Sequence, residues 1–244
     1  VHGQGTYIWS DGTVYEGTFS SGLPHGEGRL TWPSGASYEG PFQAGDMSGA
    51  GIIMWPSGAT YEGNFTAGRI NGYGTLTWPD GLIYRGILVT ETIEGSGRLT
   101  WTDGTSYEGD FTAGSIEGAG MITWPSGDVY EGSFRAGAPH GEGTYTWVSG
   151  SRYEGMYESG LATGGTFYIT DSDGRDWHFI ASQDSDGNWV VEHPESQGTF
   201  IRAPVRKALL GGTIGIPLTV TAQHAPTGSQ QVPSPLRKKP RAKD

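Results

Sequence analysis

Large and polar residues alternate along this chain in short runs, and glycine-rich turns break the runs at regular intervals. Tyr15-Glu16-Gly17-Thr18-Phe19 reads large, charged, small, polar, large, the period-two pattern of a strand with one apolar face. Ser20 to His25 reads as a turn. Gly26, Gly28, Leu30 and Trp32 then share one face of a second strand, with Glu27, Arg29 and Thr31 on the other. Pro33-Ser34-Gly35 makes the return turn. Each unit is therefore a hairpin, and the unit recurs every 23 residues, carrying tyrosine at 15, 38, 61, 84, 107, 130 and 153. A fixed period of this kind predicts a stacked array in which each unit buries its apolar face only against its neighbours. The expected fold is all-β: an elongated, single-layer antiparallel meander of about fifteen strands, on the order of 70 Å long at two strands per unit.

The aromatic residues fall in columns. A tyrosine column (Tyr15, Tyr38, Tyr61, Tyr84, Tyr107, Tyr130, Tyr153) is followed four residues on by Phe19, Phe42, Phe65, Phe111, Phe134 and Tyr157. Seventeen residues after the tyrosine stand Trp32, Trp55, Trp78, Trp101, Trp124 and Trp147. Glycines share the same face, because a ring lying flat on a sheet needs positions without a side chain beside it. A single layer has no second layer to cover that face. The rings must cover one another, and part of the face is expected to stay wet and to hold a segment of another protein, helical or extended. The residues of these columns up to Tyr153 are the candidate binding site, since aromatic rows are enriched at binding hot spots.

The frame Tyr-Glu-Gly-x-Phe, Gly-x-Gly-x-Leu-x-Trp resembles the MORN repeat (membrane occupation and recognition nexus) over residues 1 to about 165. The resemblance implies a scaffold or docking surface. Such repeats occur in junction proteins between plasma membrane and reticulum, plant phosphoinositide kinases, a lysine methyltransferase, apicomplexan and kinetoplastid cytoskeletal proteins, and axonemal radial spoke components. After Tyr157 the frame fails, with Gly164-Gly165-Thr166 in place of Gly-x-Gly and Trp177 in place of the next tyrosine. Gly160-Leu161-Ala162, Gly165-Thr166-Phe167, Asp173-Gly174 and Trp177-His178-Phe179 are similar to the end of the repeat region in small axonemal MORN proteins. The expected organisation is a repeat array over 1–165, a β cap over 166–201 and a basic Pro/Gly-rich tail over 202–244.

Charge divides the chain the same way. Residues 1–201 carry 7 arginines, no lysine and 25 acidic residues, whereas residues 202–244 carry 8 basic residues against Asp244 alone. The tail cluster Arg237, Lys238, Lys239, Arg241 and Lys243 follows a stretch too poor in apolar residues to bury a core, so disorder is expected there, with an acidic partner as its candidate ligand. Ala203 to Leu210 reads as a short helix. The chain has no cysteine, which excludes a disulfide framework and thiolate sites and fits a cytoplasmic setting. No run of 18 apolar residues occurs. Val1-His2-Gly3-Gln4-Gly5 matches the second half of a unit without an initiator methionine, so the natural amino terminus is expected further upstream.

Candidate chemistry reduces to repeat furniture. His2, His25 and His140 share one column with Ser48, Asn71, Glu94 and Glu117, as a tolerant turn position does. Glu16, Glu39, Glu62, Glu108, Glu131 and Glu154 recur two strands apart, roughly 9 to 10 Å, which touches the carboxylate spacing of inverting glycosidases. Nothing distinguishes one from another, and a solvated acidic face explains them. Asp171-Ser172-Asp173-Gly174 and Asp184-Ser185-Asp186-Gly187 lack the remaining ligands of a calcium loop and read as hairpin turns. No phosphate loop or nucleophile motif appears. The sequence therefore implies no enzyme, no cofactor, no metal and no nucleic-acid partner. One unit departs: Tyr84-Arg85-Gly86-Ile87-Leu88, then Val89 to Ile93, loses the glutamate, the phenylalanine and the turn glycine together, and puts Ile87 and Val89 on the polar face. Repeat drift, a bend or a partner contact would each explain it.

The expected function is a scaffold within a cytoskeletal assembly, by resemblance the ciliary or flagellar axoneme and its radial spokes. The alternatives are a membrane-associated module reading anionic phospholipid, which the acidic body disfavours, and a regulatory segment of a larger enzyme.

Overall fold

The computed structural model describes residues 2–170, 173–183 and 189–192, which form strands and turns with no helix among them. They fall into two compact units that meet in sequence between Thr102 and Asp103. The first holds β1 (Gly3–Ile8), β2 (Val14–Ser20), β3 (Leu23–Thr31), β4 (Ser37–Gln43), β5 (Asp46–Met47), β6 (Gly49–Met54), β7 (Thr60–Thr66), β8 (Arg69–Thr77), β9 (Ile83–Val89) and β10 (Thr92–Thr100). The second holds β11 (Ser106–Thr112), β12 (Ser115–Thr123), β13 (Val129–Arg135), β14 (Ala138–Thr146), β15 (Arg152–Glu158), β16 (Leu161–Thr170), β17 (Asp176–Gln183) and β18 (Trp189–Glu192). Within each unit every strand pairs antiparallel with its sequence neighbours, β5 and β6 being one strand broken at Ser48. The all-β antiparallel meander expected from the period is what forms.

Two turns alternate. The first is tighter than the sequence suggests. Only Ser21 and Gly22 lie between β2 and β3, with φ of 52° and 79°. Two consecutive left-handed residues match the twist of the flanking strands. Pro24 and His25, read above as turn residues, lie in β3. The second turn spans Trp32 to Ala36, where the Trp32 N–H donates to the Ala36 carbonyl and the Gly35 N–H to the Trp32 carbonyl, each at 2.9 Å. Gly35 sits at φ 88° there.

Between these turns the register slips. Gly17 faces Gly28 and Phe19 faces Pro24, so Thr18 alone stands opposite His25, Gly26 and Glu27. This bulge recurs at Gly63/Phe65, Gly109/Phe111 and Gly132/Phe134. It serves the tyrosine. The Tyr15 hydroxyl donates to the Thr18 carbonyl at 2.9 Å, and Tyr38, Tyr61, Tyr84, Tyr107 and Tyr130 make the same bond three residues on.

The ring so anchored lies flat over two glycines. A Cβ placed on Gly17 or Gly28 would come within 2.5 Å of the Tyr15 ring or hydroxyl. Tyr15 and Tyr38 then each meet two phenylalanines edge-on, their own and that of the next repeat: Tyr15 with Phe19 at 5.1 Å and Phe42 at 4.9 Å, Tyr38 with Phe42 at 5.2 Å and Phe65 at 4.8 Å. Edge-to-face pairs of this kind add about 0.5–1.5 kcal/mol each beyond the area they bury. The same ladder runs through Tyr107, Phe134, Tyr130, Tyr157 and Tyr153 in the second unit. It ends on Phe167, 4.8 Å from Tyr153. In the register of the tyrosine column Phe167 faces Phe179, so Phe179 and not Trp177 takes the place of the next tyrosine.

Candidate docking surfaces

The ladder answers where the aromatic face is open. All seven tyrosines are 0% exposed, and Phe19, Phe42, Phe65, Phe111, Phe134 and Tyr157 are buried as well. The expectation that these two columns stay partly wet is corrected: a ring lying on glycine sits low enough for the next repeat's ring to cover it. The third column differs. Trp32 and Trp78 are buried, but Trp55, Trp101, Trp124 and Trp147, with Trp9 before them, remain half-buried. These indoles stand at the start of the second turn, where the chain leaves the sheet. Within each unit the accessible part of the aromatic face is therefore tryptophan edges on a tyrosine–phenylalanine layer, those of Trp9, Trp55 and Trp101 in the first and of Trp124 and Trp147 in the second.

Burial has an electrostatic consequence. It pushes the Tyr61 and Tyr84 hydroxyls up to about 12, with the hydrogen bond to the bulge carbonyl opposing the shift. It likewise raises Tyr15, Tyr38, Tyr107 and Tyr130. No acid–base role follows from groups this far from neutrality and without access to solvent.

The opposite face is polar. Glu16, Glu39, Glu62, Glu108 and Glu131 are exposed there. Across β1 to β4 the directly opposed row reads Thr6, Glu16, Arg29, Glu39, so charges alternate in sign. An open groove of about 620 Å³ lies over it, lined by Gln4, Thr6, Glu16, Glu27, Arg29 and Glu39 with Gly5, Gly17 and Gly28 as its floor. In the second unit Arg152 bonds Glu154 at 2.7 Å and lies 4.0 Å over the Tyr168 ring. Among the described residues no group of three or more His, Asp or Glu side chains is placed to hold a metal ion. His2 accepts from the Ser21 N–H at 3.4 Å, as a turn residue would. Asp173 and Gly174 lie in the turn before β17, whereas Asp184 to Gly187 lie outside the described residues. Outside them too are the expected helix over 203–210 and the basic cluster Arg237, Lys238, Lys239, Arg241 and Lys243.

The departing unit folds as strands β9 and β10 on the same register as its neighbours, with the recurrent bulge between Gly86 and Ile87. Leu88 fills the phenylalanine position and is buried. Its turn keeps left-handed geometry without glycine, Thr90 at φ 49° and Glu91 at φ 71°. One residue the sequence reading passed over joins this region. Tyr73 faces Ile87 across the β8–β9 ladder and is 60% exposed. The signal was available, since its column otherwise holds Glu27, Ala50, Ser96, Ala119 and Glu142.

Comparison with known proteins bears on the repeat. The family model described as MORN repeat matches residues 2–14, 15–37, 38–60, 61–83, 93–106, 107–129 and 130–152. It passes over 84–92, the departing stretch. No curated protein matches the chain significantly. Among solved structures, the SAS-4 TCP domain of Drosophila melanogaster, in complex with a proline-rich motif of Ana2, is similar at 10% identity and a TM-score of 0.43, over 72% of this chain and 88% of that one. A catalytically inactive virginiamycin B lyase from Staphylococcus aureus aligns at 11% identity and a TM-score of 0.17, over 80% and 71%.

Proposed function

The chain belongs to the MORN-repeat family, and from that premise we propose that it is a non-enzymatic scaffold holding a segment of another protein against its tryptophan row. The observation that carries this reading is the division of labour among the aromatic columns. Tyrosine and phenylalanine are consumed in making the layer rigid, while Trp55, Trp101, Trp124 and Trp147 keep indole surface exposed on it. Large amphipathic rings on a rigid support are what a hot-spot surface needs, because they lose little freedom when a partner arrives. The setting we propose is a cytoskeletal assembly, with the axoneme of a cilium or flagellum and its radial spokes foremost, on the likeness of Gly160 to Phe179 to axonemal MORN proteins.

The test is capture from isolated axonemes and from a cytoskeletal extract, with the bound proteins identified by mass spectrometry. The wild-type chain is compared with Trp55→Ala, Trp101→Ala and Trp124→Ala, each checked for fold by circular dichroism. A spoke or other axonemal component held by the wild type and lost by these variants supports the proposal. Equal capture by folded variants sinks the tryptophan row as the site. Sedimentation with phosphatidylserine vesicles and no protein captured would favour the membrane module instead.

A further inference from the structure

We infer that the polar face of β8 to β10 is a second docking surface, built for a short acidic segment of another protein that carries large apolar side chains. This surface lies on the opposite side of the sheet from the tryptophan row and involves none of its residues.

The first observation is a cluster of exposed apolar side chains where the departing unit pairs with the strand before it. Tyr73, Ile87 and Val89 are 60%, 42% and 48% exposed and stand side by side, whereas the exposed apolar residues Ile52 and Met121 of the same face each stand between two glutamates, Glu39 and Glu62 or Glu108 and Glu131. Tyr73 and Ile87 are direct partners across the ladder, and Val89 is the next residue on the same face of β9. Alternate side chains on a strand stand about 6.6–6.8 Å apart. Arg85, Ile87 and Val89 therefore form a cation–apolar–apolar line at the spacing of side chains on an extended peptide.

The second observation is charge. Arg85 occupies the column that holds Glu16, Glu39, Glu62, Glu108, Glu131 and Glu154 in the other units, and its direct partner in the ladder is Arg98. Like charges directly opposed across strands repel. Where the frame is intact, at Glu16, Arg29 and Glu39, the same row alternates in sign. Neither Arg85 nor Arg98 forms an ion pair among the described residues. Two adjacent guanidiniums within a body of strongly acidic composition are a local reversal of sign, and carboxylates fit them with paired hydrogen bonds.

Together these features specify the occupant. Carboxylates satisfy Arg85 and Arg98, and apolar side chains two residues further on cover Ile87, Val89 and the Tyr73 ring. A bilayer does not suit a patch two arginines wide on an acidic body. The chain's own basic tail would meet like charge.

The test pans a library of short random peptides on the full chain and measures the recovered peptides by fluorescence anisotropy. The comparison variants are Arg85→Glu/Arg98→Thr, which returns both positions to residues the frame uses, and Ile87→Asp. Selected peptides should be rich in Asp and Glu with Leu, Ile or Phe. They should bind more weakly as salt rises and lose about fivefold or more of their affinity on each variant. The double variant should also be at least as heat-stable as the wild type, because the arginine pair repels in the free protein. Recovery of neutral or basic peptides, of none, or of peptides that bind the variants equally well overturns the inference. So does a wild-type chain that sediments as a dimer and a double variant that sediments as a monomer, which would make a second copy the occupant.

Discussion

Gly5 and Gly28 stand in the same repeat column, yet only Gly28 has a tyrosine over it, which makes the pair an internal test of how the layer is built. An alanine Cβ at Gly28 would meet the Tyr15 ring edge and hydroxyl at 2.5 Å. The ring cannot yield, since its hydroxyl is held by the Thr18 carbonyl and its faces and edges by Phe19 and Phe42. Forcing a methyl group into such a site costs roughly 1–3 kcal/mol. Against this, alanine in a strand interior gains about 0.5–1 kcal/mol over glycine. The net loss for Gly28→Ala is then about 1–2 kcal/mol, a Tm drop of roughly 2–8 °C for a protein of this size. At Gly5 the nearest atom to a Cβ is Phe19 Cε2 at 3.5 Å, an ordinary contact. Gly5→Ala should be neutral, or stabilising by up to about 1 kcal/mol through the unfolded chain. Urea unfolding followed by tryptophan fluorescence, with thermal melts by circular dichroism, measures both. In a Tyr15→Leu background the cost of Gly28→Ala should vanish, a coupling of about 1–3 kcal/mol in the double-mutant cycle. Equal effects at Gly5 and Gly28, or additivity in that cycle, would refute the claim that the tyrosine ring is what excludes a side chain there.

The raised tyrosines predict an alkaline limit to stability. Tyr61 and Tyr84 keep their protons in the fold up to about 12, against 10.0 when unfolded. Their contribution is complete below pH 10 and is lost as pH rises towards 12, at about 1.4 kcal/mol per pH unit for each; a urea midpoint that stays flat over that window would contradict this. Tyr15→Phe, which deletes the hydroxyl held by Thr18, should cost about 1 kcal/mol, read as a lower urea midpoint with unchanged slope. Glu91→Gly should stabilise by about 1 kcal/mol, because Glu91 at φ 71° occupies a position that is glycine in the turns at Gly22, Gly45 and Gly68; a thermal melt decides its sign.

The strands, their pairing and the columns were legible because one tyrosine frame repeats without a slip, so errors in any single unit are outvoted. The separation into a glycine-bearing aromatic face and a glutamate face was legible for the same reason. What the sequence did not disclose was depth. Alternation says that Tyr15 and Trp32 share a face, but not that one ring sinks onto Gly17 and Gly28 while the other stands at a turn. That difference goes with the bulge opposite Thr18, whose carbonyl accepts from the tyrosine hydroxyl. A bulge that sets three residues opposite one keeps the alternation of both strands and leaves no mark in a period-two pattern. Tyr73 escaped notice although its column marks it as the one large residue among small and charged ones, and the ladder adds that it stands opposite Ile87.

Tyr15 and Tyr38 each meet a phenylalanine from their own repeat and the equivalent one from the repeat that follows, both edge-on at about 5 Å. Such a seam is indifferent to which repeat supplies the second ring. Excising residues 38–60 as a block would bring Phe65 to Tyr15 in the place Phe42 now holds, with every bulge and turn conserved. Chain length in the array is thereby quantised: whole periods can be lost or duplicated by recombination at little cost to folding, while an insertion of any other size breaks the aromatic seam. A lineage can in this way change how many tryptophan edges it offers without inventing a new core.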